Sequence, residues 1–148
     1  MSLPEYCNRP QIVTRNNDDS LKFAQFDRWA EPLDKAMART ISHNLALLLP
    51  RINVETFPWN SIMPVKYQVI MNTLQLDCRL DKQVVLFMQW SILDAQSKKK
   101  LFDKHSDYRI PVGTHNYSDL VQAINVICES LSKEIAQALT EVVGKGPA

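Results

Sequence analysis

Glycine is scarce: the 148 residues hold three. That scarcity excludes the commonest phosphate chemistry, because dinucleotide fingerprints and phosphate loops need clustered glycines between a strand and a helix. Gly144-Lys145-Gly146 lies in the tail behind a helical stretch, the wrong setting for such a cradle, and no Gly-x-Ser-x-Gly nucleophile elbow occurs. Cysteine is equally sparse. Cys7, Cys78 and Cys128 have no metal-ligand spacing, and an odd number leaves at least one unpaired in a monomer. Cys78 ends a strand-like run and Cys128 lies in a helical one; the plainest role for all three is as small buried hydrophobes, which leaves the redox compartment open. No charge sign is in excess. Seventeen basic against 16 acidic residues give +1, so no long-range attraction to nucleic acid or an acidic membrane is expected. The longest apolar runs, such as Leu45–Leu49, are about five residues, where a membrane span needs about 20. The chain opens without a basic segment followed by an apolar one, so no signal peptide is read there. Internal repeats and low-complexity tracts are missing too.

What is present is a run of alternating strands. Val84, Leu86, Met88, Trp90 and Ile92 alternate without a break, and a period of two points one face at a core. Tyr67–Asp77 precedes this run and Leu101–Ile110 follows it, across short polar connections at 78–83 and 95–100. Gaps this short fit hairpins and cannot hold a crossover helix, so the three runs predict an antiparallel meander. In the first run Ile70, Leu74 and Leu76 are expected on one face, with Val69 and Met71 on the other. In the last, Asp103, His105, Asp107 and Arg109 share a face opposite Phe102, Tyr108 and Ile110.

The other segments cover or extend this sheet. Gln11–Arg15 and Leu21–Phe26 flank Asn16-Asn-Asp-Asp-Ser20, a strong turn signal, and predict a hairpin with Leu21 and Phe23 on one face. Leu33, Met37, Ile41, Leu45 and Leu48 recur every three or four residues, which predicts an amphipathic helix over 32–49 that starts at Pro32 and stops before Pro50. Asn53–Phe57 is a short strand candidate. A second helix is predicted over 117–143, with Ser118 as N-cap, a stripe of Leu120, Ile124, Ile127, Leu131, Ile135, Leu139 and Val142, and Gly144 just past its end. The order ββ-α-ββββ-α implies a two-layer α+β domain, a mostly antiparallel sheet with two amphipathic helices packed on one face. With 45% hydrophobic residues, 1–148 can bury one core as a single domain, and residues 1–8 and 144–148 are expected to fray.

Few residues suggest chemistry. Asp103-x-His105-x-Asp107 sets two carboxylates and an imidazole on one strand face, which either holds a divalent ion or is a solvated sheet face. Lys98-Lys99-Lys100 reads as a soluble hairpin tip or as an anion site. Trp59, in a loop bracketed by Pro58 and Pro64, is either a partner-binding anchor or a plug for the core. Arg9, Arg15 and Arg28 surround the opening hairpin and either pair with nearby acids or offer a basic rim.

Five segments occur in a telling order: Arg9-Pro10-Gln11-Ile-Val-Thr-Arg15, Arg28-Trp29-Ala-Glu-Pro-Leu33, Phe57-Pro58-Trp59, Trp90-Ser-Ile-Leu-Asp94 and Leu131-Ser-Lys-Glu-Ile-Ala136. Together, over roughly Leu3 to Leu139, they resemble the ABC-type transport auxiliary lipoproteins, the family of paraquat-inducible protein C of Gram-negative bacteria. The resemblance implies a non-enzymatic periplasmic lipoprotein without a cofactor, held to a membrane, the outer one, by an N-terminal lipid anchor. It implies an MCE-domain protein and an integral membrane component as partners, homo-oligomers as a further possibility, and a part in lipid or hydrophobic-molecule traffic and membrane integrity. The leader and lipidation site of the family are not found here, and Cys7, preceded by Tyr6 and no apolar leader, is not that site. The chain is therefore expected to be the soluble part. Arg9, Pro10, Gln11, Arg15, Arg28, Trp29, Pro58 and Trp59 become the candidate docking or signature residues. A lipid-binding carrier, with an apolar groove between helices and sheet lined by Leu33, Met37, Trp90 or Leu131, is the alternative. A metal-dependent enzyme built on Asp103, His105 and Asp107 is the third reading.

Overall fold

The computed structural model describes residues 1–16, 20–29, 31–55 and 65–144, with the backbone alone for 25–28. A single 3-10 turn, Glu5–Cys7, leads into β1 (Gln11–Arg15) and β2 (Leu21–Arg28). Helix α1 (Leu33–Leu48) follows, then β3 (Tyr67–Arg79), β4 (Gln83–Asp94), β5 (Lys100–Pro111) and helix α2 (Tyr117–Gly144). The fold is α+β, as the periodicities predict. Among the described residues the strands pair antiparallel and divide into two sheets, β1-β2 and β3-β4-β5, with β1 lying beside β3. The strand expected at Asn53–Phe57 is not formed over 53–55, and 56 and 57 lie outside the described residues.

Alternation in β4 survives intact. Val84, Leu86, Met88, Trp90 and Ile92 are all fully buried, and α2 covers them. The register of β3 is different from the expected one. Thr73 pairs with Met88 and Gln75 with Phe87, so Leu74 is an extra residue in a bulge. A bulge shifts the side-chain alternation by one. Before it Met71 and Thr73 face inward; after it Leu76 and Cys78 do. Ile70 and Leu74 therefore face solvent while Leu76 is buried, so these three do not share a face.

α2 packs over β4 and β5, and α1 packs chiefly against α2. Each of the seven stripe residues of α2 packs in or against the core, because a 28-residue helix on the sheet has a single apolar face to cover. In α1 Leu33, Met37, Ile41 and Leu45 are buried but Leu48 is exposed, since the helix ends there. Asn116, not Ser118, caps α2: its Oδ1 accepts the Ser118 N–H at 2.9 Å. Residues 1–8 contact the sheet and the core. Ser2 N–H donates to the Met71 carbonyl, the Thr73 N–H donates back to Ser2, and Met1, Leu3 and Tyr6 pack on the core. Residues 145–148 lie outside the described residues, and Gly144 closes α2 rather than standing beyond it.

Candidate functional site

The opening hairpin brings two of the five sequence segments together. Gln11 pairs with Arg28, and the Trp29 N–H donates to the Pro10 carbonyl at 2.9 Å. Arg9–Gln11 and Arg28–Trp29 thus meet at one end of the hairpin. The Arg9 guanidinium lies 4.5 Å from the centre of the Phe23 ring, with Phe23 43% exposed. This is a cation and an aromatic ring presented at the surface. Pro58 and Trp59 lie outside the described residues, as does the side chain of Arg28.

Arg15 sits at the opposite end and is turned inward. Its Nε donates to Asp77 Oδ1 at 2.9 Å, and its guanidinium lies 5.3 Å from the Tyr6 ring centre. Tyr6 OH donates to the same Asp77 oxygen at 3.1 Å, Gln75 Nε2 donates to the other at 2.6 Å, and Tyr6 OH accepts the Leu76 N–H. Burial pushes the Asp77 carboxyl up, but the hydrogen bonds from Gln75 and Arg15 and the guanidinium charge outweigh it and hold the group below its ordinary value. Burial also raises the Tyr6 hydroxyl. The cluster ties the N-terminal segment and β1 to β3; it is a structural clasp between the two sheets.

A cleft of about 330 Å³ opens between the hairpin, α1 and α2. Its walls are largely apolar, from Ile12, Trp29, Leu33, Met37 and Ile124, and the Arg39–Glu31 ion pair stands at its edge. Leu33 and Met37 are among the lining residues. Trp90 and Leu131 do not line it; they are buried in the core. Cys128 is at the cleft, but burial raises its thiol to about 12, so it is held as an unreactive protonated group. Cys78 and Cys128 do not pair: all three cysteines are buried free thiols.

A second polar group, unforeseen in the sequence, lies under α2. Trp90 Nε1 donates to Ser106 Oγ at 2.9 Å, Ser106 Oγ donates to Glu134 Oε1 at 3.3 Å, and Lys104 pairs with Glu134 at 2.6 Å. Only the signal of a lone serine amid the inward positions of β5 could have pointed to it. On the outer face of β5 Asp103, His105 and Asp107 are exposed and do not converge. Asp103 Oδ1 accepts from Gln89 and Ser91, and the His105 ring stacks on Phe87 at 5.6 Å. Among the described residues no group of three or more His, Cys, Asp or Glu side chains is placed to hold a metal.

The family described as ABC-type transport auxiliary lipoprotein component matches residues 1–136. The chain belongs to this family. No curated protein matches it in sequence. Among solved structures, an uncharacterized protein with 20% identity superposes with a TM-score of 0.78, over 92% of this chain and 85% of its own. A Xanthomonas campestris protein with 10% identity gives 0.79 over 96% and 81%, and a Caulobacter crescentus protein described as a candidate lipoprotein, 14% identical, gives 0.53 over 74% and 85%. At these identities the structures share the fold. Membership makes the chain a transport auxiliary component of lipoprotein type, associated with an ABC-type transporter and the cell envelope. No helix among the described residues is long and apolar enough to cross a membrane.

Proposed function

We propose that the chain is a non-enzymatic adaptor of an ABC-type envelope transport system that moves lipid or other hydrophobic molecules and so maintains membrane integrity. It works in the periplasm, tethered to the outer membrane by a lipid anchor in the full-length protein. An MCE-domain protein docks on it, and the integral membrane component completes the system. The observation that carries this reading is the family match over residues 1–136, joined to a body whose helical stripes, Leu48 apart, are buried in one core with the sheet. An adaptor needs a rigid body and a recognisable surface, and Arg9 over exposed Phe23 is such a surface. Pro10, Gln11 and Trp29 shape the backbone behind it. Arg28, Pro58 and Trp59 belong to the same docking set by resemblance, whereas Arg15 holds the two sheets together and positions the hairpin.

The test is a pull-down with the cognate MCE-domain protein, run on Arg9→Ala and Trp59→Ala beside thermal melts. Capture is expected to fall while Tm holds for Arg9→Ala. Undiminished capture by both variants overturns the docking assignment, and a collapsed melt for Trp59→Ala makes that residue a core plug.

The cleft beside α1 supports a second reading, direct carriage of a lipid. Its volume, about 330 Å³, is at the lower end of small-molecule sites, and its walls are apolar with one ion pair at the edge. Native mass spectrometry is expected to find a lipid on the purified chain in that case; its absence after incubation with envelope lipids removes the reading.

A further inference from the structure

β5 is the end strand of the three-stranded sheet, 12 residues long, and among the described residues no strand pairs with its outer side. The Val112 N–H donates to the Lys82 carbonyl, in step with the β4–β5 register in which Val84 faces Ile110 and Met88 faces Ser106. Backbone groups alternate sides along a strand, so from Phe102 onward, past the register shift at Leu101, the even-numbered residues of β5 bond to β4 and the odd-numbered ones aim outward. Pro111 falls in the outward set, where its missing N–H costs the sheet nothing. An edge of this length with free main-chain groups is a template for another strand.

The outward set is also charged in a pattern that is its own complement. From the described side chains, we infer that β5 pairs antiparallel with β5 of a second copy of this chain, about a two-fold axis at Ser106, making one six-stranded sheet. In that register Asp103 faces the second copy's Arg109, and His105 faces the second copy's Asp107; symmetry repeats both pairs. All four residues are exposed, and neither Asp107 nor Arg109 has an ion-pair partner among the described residues. On the inner face Phe102 meets the second copy's Ile110, which extends the apolar layer that both residues already join. Neighbouring registers fail on charge. An axis at His105 sets Asp103 against Asp107, and an axis at Asp107 sets that carboxylate against itself and His105 against Arg109. Lys98 and Lys99, at the hairpin tip, lie beyond the paired segment and stay solvated. Opposite charges directly across a ladder stabilise it and like charges destabilise it, so the axis at Ser106 is favoured over those at His105 and Asp107. The inference is independent of the transport reading.

Sedimentation velocity on the full chain tests it. A dimer of about 34 kDa, twice the 17.0 kDa chain, is expected. Asp103→Arg and Arg109→Asp each set like charges against each other twice and should weaken self-association on the order of tenfold. The double variant D103R/R109D restores opposite charges and should recover the dimer. Mixing the two single variants should give a heterodimer, since one then carries two arginines and the other two aspartates at these positions. His105→Pro, which removes one outward N–H and leaves the β4 ladder untouched, should also abolish the dimer, and melts check that each variant is folded. A monomeric unaltered chain overturns the proposal. So does an oligomer that folded single variants leave unchanged, or a double variant that is folded and remains monomeric.

Discussion

Arg15 Nε and Asp77 Oδ1 stand 2.9 Å apart across 62 residues of sequence, both largely shielded from solvent, and this contact joins the opening hairpin to the three-stranded sheet. Among the described residues the sheets share no strand pairing, so the clasp, with Tyr6 and Gln75 around it, holds together what a continuous ladder would otherwise hold. It also places the Arg9–Phe23 surface on a fixed support.

Removing one partner should therefore cost more than a surface ion pair would. Arg15→Ala is expected to lower stability by about 2 kcal/mol, because it leaves a shielded carboxylate without its cation. Asp77 has a folded pKa below its ordinary value, so its contribution is complete above about pH 4 and is lost as pH falls through the lower, folded value. Urea unfolding across an acidic pH series should show that loss, and Asp77→Asn should flatten it. Equal pH dependence in both proteins would assign the acid limb to other carboxylates.

The bulge at Leu74 makes a sharp contrast between neighbouring leucines. Leu74 is 47% exposed and Leu76 is 2% exposed. Leu74→Lys should change stability by less than about 0.5 kcal/mol. Leu76→Ala should cost about 3 kcal/mol, from lost burial and the cavity it leaves. Equal costs measured by denaturant unfolding would mean the two residues share a face and the bulge is not formed.

The three thiols should be silent in the folded protein. Burial pushes Cys7 and Cys128 up to about 12, and raises Cys78 further with Cys7 and Asp77 nearby. At about pH 8 almost no thiolate is present at any of them. Ellman's reagent should report no reactive thiol on native protein and all three after unfolding in guanidinium. Rapid reaction of one native thiol would show that its site opens.

Much of the secondary structure was legible because period carries it. The β4 run alternates without a break, and the α2 stripe returns every three or four residues, so their inner faces follow directly from side-chain geometry. β3 departs from the expected faces because a bulge adds a residue without any local sequence mark, and one extra residue flips every later side chain. The cap of α2 stands two residues before the expected Ser118 because the Asn116 side chain can fill the same role. Asp103, His105 and Asp107 were legible as neighbours on one face, but whether they converge depends on Gln89, Ser91 and Phe87 in the next strand.

By itself the sequence determined the element types, the buried faces of β4 and α2 and the family, since these rest on local spacing and on ordered motifs. Only the tertiary structure decided that the strands split into two sheets, that α1 packs along α2, and that Arg15 is an internal clasp while Arg9 is at the surface. Both arginines flank the same short strand and carry the same charge, and which of them meets a carboxylate depends on a residue brought alongside by folding, beyond the reach of any local pattern.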